Sequence, residues 1–273
     1  MPVITLSTDF GAVDEYVGAM KGVILTLYPS VTIVDVTHEL PAHDVRYAAH
    51  ALAAFYRFFP RDTVHVVVVD PGVGTDRRIL AVETDVHTFI APDNGVLTAV
   101  MAREPLRRIV SVENPAYFQE TVSRTFHGRD VFSPVAAWVS KGVDIARIGP
   151  AVKAGETVRL SLPKPQKIDD RTLTGTVTMV DRFGNLTTNI DADTLAGFVG
   201  ATRPENVSAA IKGHRIHGLS NTYASAGTGE PLMIVGSRDY LEIAVNRGSA
   251  RRHFNAAEGE SLSLTLTERS TVP

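Results

Sequence analysis

Apolar and polar positions follow two different repeats in the first half of the chain, and their alternation predicts strands separated by helices. Short β-branched runs at residues 31–36 and 66–69 have the length and composition of buried strands. Residues 14–28 and 45–59 place apolar side chains three and four positions apart, on one face of a helix. Strand–helix–strand order favours a parallel sheet with crossover helices. We therefore predict a three-layer α/β N-terminal domain with a mostly parallel sheet.

The pattern changes near residue 150. Residues 156–170 are rich in proline and charged side chains and are typical of a linker. Beyond them, short apolar runs recur between turn signals, at residues 173–180, 186–190, 207–211, 232–235, 241–245 and 262–266. Short strands at this density predict a small all-β barrel or sandwich. The expected organisation is an α/β domain over residues 1–155, the linker, and a β-barrel domain over residues 171–273.

Composition narrows the class of protein. The 273 residues are 44% hydrophobic and 21% charged, with a formal net charge of −3, so no electrostatic footprint for nucleic acid is present. No apolar run approaches the roughly 20 residues needed to cross a bilayer. The absence of cysteine excludes disulfides and thiolate metal sites. The first residues enter a strand-like segment without a leader pattern, so we expect a cytoplasmic protein with neither nucleic-acid nor membrane partners.

Polar residues follow the predicted strands of the first domain at their carboxyl ends, where open α/β sheets bind ligands. Asp70 ends the central strand run and Arg77 follows seven residues later, which is the chemistry of an active-site pair. Asp9 ends the first strand, and a carboxylate there suits a cationic ligand or a ribose diol. The simpler interpretations are a loop cap for Asp70 and a helix N-cap for Asp9, a role for which Asp14 competes. His127 stands in a loop and is an ordinary solvated side chain unless the fold brings it to the pair.

Turns between the later strand runs carry further polar residues, and each turn taken alone is an ordinary hairpin. These residues are Asp181 and Asn185 in one turn, Ser237 and Arg238 in a second, and Asn246 in a third. The histidines do not have the spacing of a zinc site, since His38 and His43 are five apart with a proline between them. No metal site is therefore predicted.

The order of these segments is more informative than any one of them. The chain carries, in sequence, TDFG…DEYVGAMKG, VVVDPGVGTDRR, IAPDNGVL, TFHGRDVFSPVAA, DRFGNLTTNI and GSRDYLEIAVNRGSA. This set resembles the adenosine-forming S-adenosyl-L-methionine (SAM) hydrolases, also called SAM hydroxide adenosyltransferases, which are relatives of the fluorinating and chlorinating enzymes. The resemblance extends over nearly the whole chain.

The resemblance implies an N-terminal α/β domain, a C-terminal β-barrel and a homotrimer that binds SAM between subunits. It also implies a reaction in which water displaces methionine from the ribose C5′ of SAM, giving adenosine and L-methionine. SAM is then the substrate and no cofactor is required. By the same resemblance Asp70, Arg77 and His127 serve the attacking water, whereas the halogenating relatives lack this intact set.

Further substrate contacts are implied by the same motifs: Asp9, Asp14, Asp181, Asn185, Ser237, Arg238 and Asn246. Asp9 corresponds to the carboxylate that holds the ribose hydroxyls. Asp181 and Ser237 correspond to groups that bind the methionine portion, and Asn185 to an adenine contact. The halogenating enzymes carry an arginine on the adenine side where this chain has Val245.

Two alternatives belong to other functional classes. One is a halogenating transferase on the same fold, and the other is a non-catalytic sensor of SAM or adenosine. The set of Asp70, Arg77 and His127 favours water as the nucleophile and a catalytic role, and therefore the hydrolase.

Overall fold

The computed structural model describes residues 2–267, and the chain divides into two compact units, Met1–Leu160 and Ser161–Pro273. The first unit alternates strands and helices. Its elements are β1 (Val3–Thr8), α1 (Tyr16–Leu27), β2 (Thr32–Thr37), α2 (Val45–Phe55), β3 (Val64–Val68), β4 (Ile79–Thr84), β5 (Thr88–Pro92), α3 (Thr98–Arg103), β6 (Leu106–Ser111) and α4 (Ser133–Ser140). The domain boundary predicted near residues 156–170 stays a prediction.

The sheet of the first unit is mixed, so the expectation of a mostly parallel sheet needs correction. Its strand order is β2-β1-β3-β5-β4-β6. The pairs β1–β2, β1–β3 and β3–β5 are parallel, whereas β4 is antiparallel to both β5 and β6. The reason is the short turn at residues 85–87 between β4 and β5, because parallel neighbours require a much longer crossover.

Both faces of this sheet are covered, as the continuous valine run of β3 predicts. Successive side chains of a strand point to opposite faces. Val66 and Val68 accordingly pack in a core cluster with α1 and α4, while Val67 and Val69 pack in another with α2 and α3. The carboxyl end of β3 therefore emerges from the middle of a buried sheet, which fixes the position of the loop that follows it.

The first helix starts later than the sequence pattern suggests. It begins at Tyr16, and its first turn holds no acidic side chain. Glu15 is its N-cap residue and makes no side-chain capping hydrogen bond, so neither Asp9 nor Asp14 has the N-cap role that the sequence allowed for them. The second helix, α2, ends at Phe55 and continues only as a 3₁₀ turn, Tyr56–Phe58.

The second unit is built mainly of short strands. Its elements are β7 (Gln166–Asp169), β8 (Thr172–Val180), β9 (Leu186–Asp191), α5 (Ala192–Val199), β10 (Val207–Ile211), β11 (His214–His217), β12 (Leu219–Ser220), β13 (Pro231–Val235), β14 (Tyr240–Val245), α6 (Ala250–Phe254) and β15 (Ser261–Leu266). The sheet order β11-β10-β15-β8-β9-β14-β13-β12 places β11 and β12 at its two ends. Gly218 alone separates these strands in the chain, so the sheet nearly closes into a barrel.

The second unit also contains two short helices. The expectation of an all-β unit is therefore correct for its sheet but not for the whole unit. Asp191 caps α5 by accepting the backbone N–H of Thr194, and Ser249 caps α6 in the same way from Arg252. Across residues 2–267, no helix is long and apolar enough to cross a membrane.

A buried histidine lies in the core of the first unit, on the strand that leads to the candidate site and five residues before Asp70. His65 on β3 is fully buried, stacks on the Phe89 ring at 5.1 Å and shares a 2.8 Å hydrogen bond with the Thr5 hydroxyl. Burial lowers the pKa of His65 to about 3, with the neighbouring His87 contributing in the same direction. The folded protein therefore holds His65 neutral at neutral pH.

This histidine predicts acid sensitivity with a definite sign. Between pH 6.5 and about 3 the unfolded chain binds a proton at His65 that the folded chain does not, so stability falls as the pH falls through this window. In a Thr5→Val, His65→Phe double variant, which leaves no orphaned hydroxyl, we expect this dependence to weaken by up to about 1.4 kcal/mol per pH unit. Urea unfolding between pH 4 and 7 measures it, and an unchanged slope would contradict the assignment.

Candidate active site

The loop after β3 and the loop before α4 bring three predicted side chains into direct contact. The Arg77 guanidinium donates from Nε to both oxygens of Asp70, at 3.0 and 2.8 Å. Its Nη2 lies 2.9 Å from Nδ1 of His127. The side chains of Asp70 and Arg77 are 4% and 12% exposed, so this ion pair is largely removed from water. We call these three residues the triad.

Backbone geometry shapes the loop that carries Asp70 and Arg77. Gly74 adopts a φ of +78°, and a Cβ there would lie 2.3 Å from the carbonyl oxygen of Arg124, so only glycine fits. The Asn94 amide donates to the Val69 carbonyl at 2.8 Å, which fixes the chain immediately before Asp70. Two separate contacts therefore hold the loop in one conformation.

The basic pair that follows this loop is divided between two roles. Arg78 turns away from Arg77 and donates to Asp93 from Nε at 2.9 Å. Asp93 also accepts the backbone N–H of Val158 at 2.8 Å, so it ties neighbouring segments together. Only Arg77 is therefore available to the triad.

The contact with Arg77 determines the protonation of His127. A guanidinium only donates hydrogen bonds, so Nδ1 of His127 is the acceptor, and a neutral ring carries its proton on Nε2. Burial, followed by the charge of Arg77, lowers the pKa of His127 below its ordinary 6.5. The triad therefore contains a neutral imidazole at neutral pH.

A π-helical turn follows this histidine directly. The turn spans Gly128–Phe132, and π-helical turns are frequent at functional sites. Gly128 packs closely against Phe10 and Phe126, since a Cβ at this glycine would lie 3.3 and 3.2 Å from their rings. The residue that follows His127 is therefore packed against two aromatic rings.

A cavity of about 210 Å³ opens beside the triad, and we call it the first cavity. It is lined by acidic, histidine and apolar side chains, among them Asp9, Phe10, His43, Asp70, Phe126 and His127. Asp9 caps no helix here, because its carboxylate accepts the backbone N–H of His43 at 2.8 Å. Asp14 is exposed and does not line the cavity. The first unit thus brings together four of its five predicted residues and leaves Asp14 apart.

The second unit carries its own cavity, of about 610 Å³, which we call the second cavity. Its lining includes four predicted residues, Asp181, Asn185, Ser237 and Arg238. Asn246, the fifth, does not line it; its amide donates to the Ala226 carbonyl at 2.7 Å. Asp181 also has the structural role that its turn suggests, because its carboxylate accepts the backbone N–H groups of Phe183 and Asn185, both at 2.9 Å.

The second cavity contains two functional groups that the sequence motifs did not single out. The Tyr223 hydroxyl donates to Oε1 of Glu242 at 2.6 Å, and both side chains line the cavity. The signal for Glu242 was present in the sequence, since it is a lone charge within the apolar run of β14. Tyr223 stands in a segment without periodicity and gave no such signal.

Comparisons with known protein families match most of the chain. The model of the SAM hydroxide adenosyltransferase N-terminal domain matches residues 4–149, and that of the C-terminal domain matches residues 175–263. The chain belongs to the SAM hydroxide adenosyltransferase family. The resemblance noted in the sequence is thereby confirmed.

Named relatives of the chain come from several organisms. The chain is 37% identical to the (R)-S-adenosyl-L-methionine hydrolase of Salinispora tropica, over 97% of this chain and 98% of the relative. It is 36% identical to the Thermus thermophilus protein of the same name, over 96% and 99%. A fluorinase from an Actinoplanes species is 29% identical, over 97% of each chain.

A solved structure has a fold similar to that of this chain. A Thermotoga maritima protein described as an uncharacterized conserved protein is 35% identical and superposes with a TM-score of 0.89, over 97% of this chain and 100% of that one. Within residues 2–267, no group of three or more histidine, aspartate or glutamate side chains is arranged to hold a metal ion.

Proposed function

We propose that this protein hydrolyses SAM to adenosine and L-methionine by attack of a water-derived nucleophile at the ribose C5′. The observation that carries the proposal is the Asp70–Arg77–His127 triad, which lies beside a cavity at the carboxyl end of the central strand. Family membership and hydrolase relatives at 36–38% identity support the same reaction. SAM is the substrate, and the reaction requires no further cofactor.

The step that needs catalysis in this reaction is activation of the nucleophile. Methionine leaves from a sulfonium as a neutral thioether, so the leaving group needs no general acid. Neutral water is a poor nucleophile and free hydroxide is scarce near pH 7. A preorganised cation and hydrogen-bond donors in a partly desolvated site stabilise hydroxide character. Arg77, held by Asp70, is that cation.

In the proposed mechanism, His127 acts as a hydrogen-bond donor. Its Nδ1 is occupied by Arg77, so the neutral ring offers Nε2–H, which donates and cannot accept a proton. A hydroxide bound by Nε2–H and the Arg77 charge then attacks C5′, and the proton of the original water has already passed to solvent. The C–O bond forms as the C–S bond breaks, and the pair of electrons leaves with methionine.

This mechanism predicts the pH dependence of kcat/KM. The pKa of His127 is lowered by burial and by Arg77, so the ring is mainly neutral above pH 6.5. We expect log kcat/KM to rise through pH 6.5–8 with a slope near +1, as hydroxide becomes available, without a break at 6.5. A plateau over pH 6.5–8 that disappears in His127→Ala would instead show that His127 is a general base.

The sulfonium configuration of the substrate is a further part of the proposal. Relatives from Salinispora and Thermus are named hydrolases of (R)-SAM. We propose that this chain likewise prefers the R sulfonium epimer. Parallel assays with the purified R and S epimers test the preference, and equal kcat/KM values would reject it.

The proposed assembly is a homotrimer in which two subunits complete each site. Each cavity is lined by residues of one unit only, although a SAM molecule has to meet both sets of contacts. Two apolar side chains are also exposed: Val13 is 97% exposed, and Phe183, which lines the second cavity, is 76% exposed. Covering such side chains with a second copy stabilises the association. We propose a cytoplasmic location for this assembly.

Product analysis separates the proposal from its alternatives. The purified protein is incubated with SAM, with and without chloride, and the products are identified by mass spectrometry. Adenosine and methionine in both samples are expected. A 5′-halogenated nucleoside in the chloride sample would identify a halogenating transferase, and recovery of intact SAM from both samples would reject catalysis and leave the non-catalytic alternative.

A further inference from the structure

The second cavity contains a carboxyl group that the roles described above do not use. Glu242 lies within β14 and is 6% exposed, yet it lines the cavity together with Asp181 and Arg238. Burying a carboxyl group is costly unless it is hydrogen-bonded or paired with a charge. The Tyr223 hydroxyl, a neutral donor, meets this need only in part.

The protein makes room for this carboxyl at the loop that carries the proposed methionine contacts. A Cβ at Gly236 would lie 2.9 Å from Oε2 of Glu242, so glycine allows the backbone to pass directly beside the carboxyl. Ser237 and Arg238 follow this glycine immediately. Glu242 therefore stands next to the groups proposed to bind the amino-acid end of SAM.

The neighbouring carboxylate has less capacity for a ligand. Oδ1 of Asp181 accepts two backbone N–H groups of its own turn, and Oδ2 accepts the Asn185 amide at 3.1 Å. These donors use about three of the roughly four acceptor sites of a carboxylate. An ammonium group has three N–H donors, so it needs acceptor sites on a second carboxylate.

We propose that Glu242 is a substrate-binding carboxylate that recognises the α-ammonium group of SAM and of the methionine product. This inference rests on the proposed function. Burial raises the pKa of Glu242, and the Tyr223 hydrogen bond opposes that effect. A nearby ammonium group favours the ionised carboxylate further, so the pocket becomes complementary to the ligand when the ligand binds.

A pair of ligands that differ in one group tests this role. L-Methionine and 4-(methylthio)butanoate share the thioether and carboxylate, but only methionine has the amine. Their Kd values are measured by calorimetry in the presence of saturating adenosine. In Glu242→Gln we expect methionine to bind about 10-fold or more weakly, as for loss of a hydrogen bond to a charged group, with no comparable loss for 4-(methylthio)butanoate.

The matched control is Glu205→Gln, the same chemical change in the same unit at an exposed ion pair with Arg203, which should leave both Kd values unchanged. Equal losses for the two ligands in Glu242→Gln, or no loss, would overturn the proposal. So would a wild-type protein that does not bind methionine. Methionine binding that depends on Glu242 in a protein that does not hydrolyse SAM would reject only the proposed function.

A second variant keeps the test valid if Glu242→Gln does not fold. The Tyr223 hydrogen bond lowers the pKa of Glu242, so Tyr223→Phe should move the pH at which methionine affinity develops to a higher value. The charged groups that share this cavity are Asp181, Arg238, Arg247 and Arg252, and all of them remain in the variant. An unchanged pH profile would overturn the role of Glu242.

Discussion

Replacing His127 with alanine is expected to lower kcat for SAM hydrolysis by about 10²–10³-fold, the effect of losing one preorganised donor to a developing or bound anion. SAM should still bind, because His127 acts on the nucleophile and not on the substrate. Asp70→Ala is expected to have an effect of similar size, since Arg77 loses the three hydrogen bonds to the carboxylate that hold it toward His127. Kinetics with SAM and calorimetric binding measure the two quantities separately.

The same experiment tests whether the triad acts as a unit. Residues that act together give non-additive losses, so the Asp70→Ala, His127→Ala double variant should be little worse than either single variant. Asp76→Asn is the matched control, because this exposed aspartate is adjacent to Arg77 in the same loop and should retain wild-type kcat. Near wild-type turnover in His127→Ala or Asp70→Ala would contradict the assignment.

Mixing two inactive chains is expected to restore activity. Asp70→Ala destroys the first cavity's triad, and Ser237→Arg blocks the second cavity, which Ser237 lines. If each site combines the first unit of one chain with the second unit of its neighbour, about one site in four of a randomly mixed ring is free of both lesions. Co-refolded or co-expressed mixtures should therefore show about a quarter of the wild-type activity per site.

This experiment has clear controls. Each single variant must be inactive alone and must have the same mass in solution as the wild type. The control with the opposite arrangement places both substitutions on one chain and mixes it with wild-type chains. Intact sites then occur only where two wild-type chains adjoin. Absence of recovery in mixtures shown to be mixed by mass would place the whole site within one chain.

The central strand and its triad are the part of the molecule that sequence reasoning predicts best. The apolar run before Asp70 predicts a buried strand, and the position of Asp70 at its carboxyl end follows from the direction of the chain. The contact of Arg77 with Asp70 is local, seven residues away. The arrival of His127 at the same point is a long-range contact, and it was predicted from the order of the motifs, not from periodicity.

Other features depended on information that periodicity does not contain. The mixed sheet follows from the tight turn between β4 and β5, which overrides the parallel order suggested by the earlier alternation. Helix α5 is short, but its N-cap Asp191 and the glycine at position 200, with φ of +53°, were local signals of its ends. The burial of His65 and the pairing of Tyr223 with Glu242 arise only from tertiary packing.

The most direct test of the proposed reaction is to run it in ¹⁸O-labelled water. Attack of solvent-derived hydroxide on C5′ places the label in the 5′-hydroxyl of adenosine and leaves the methionine carboxylate unlabelled. Mass spectrometry of the separated products reports both positions under single-turnover conditions. Adenosine carrying one solvent oxygen at C5′ is the predicted result. Unlabelled adenosine would contradict the account, because the oxygen would then have come from a protein group through a covalent ester.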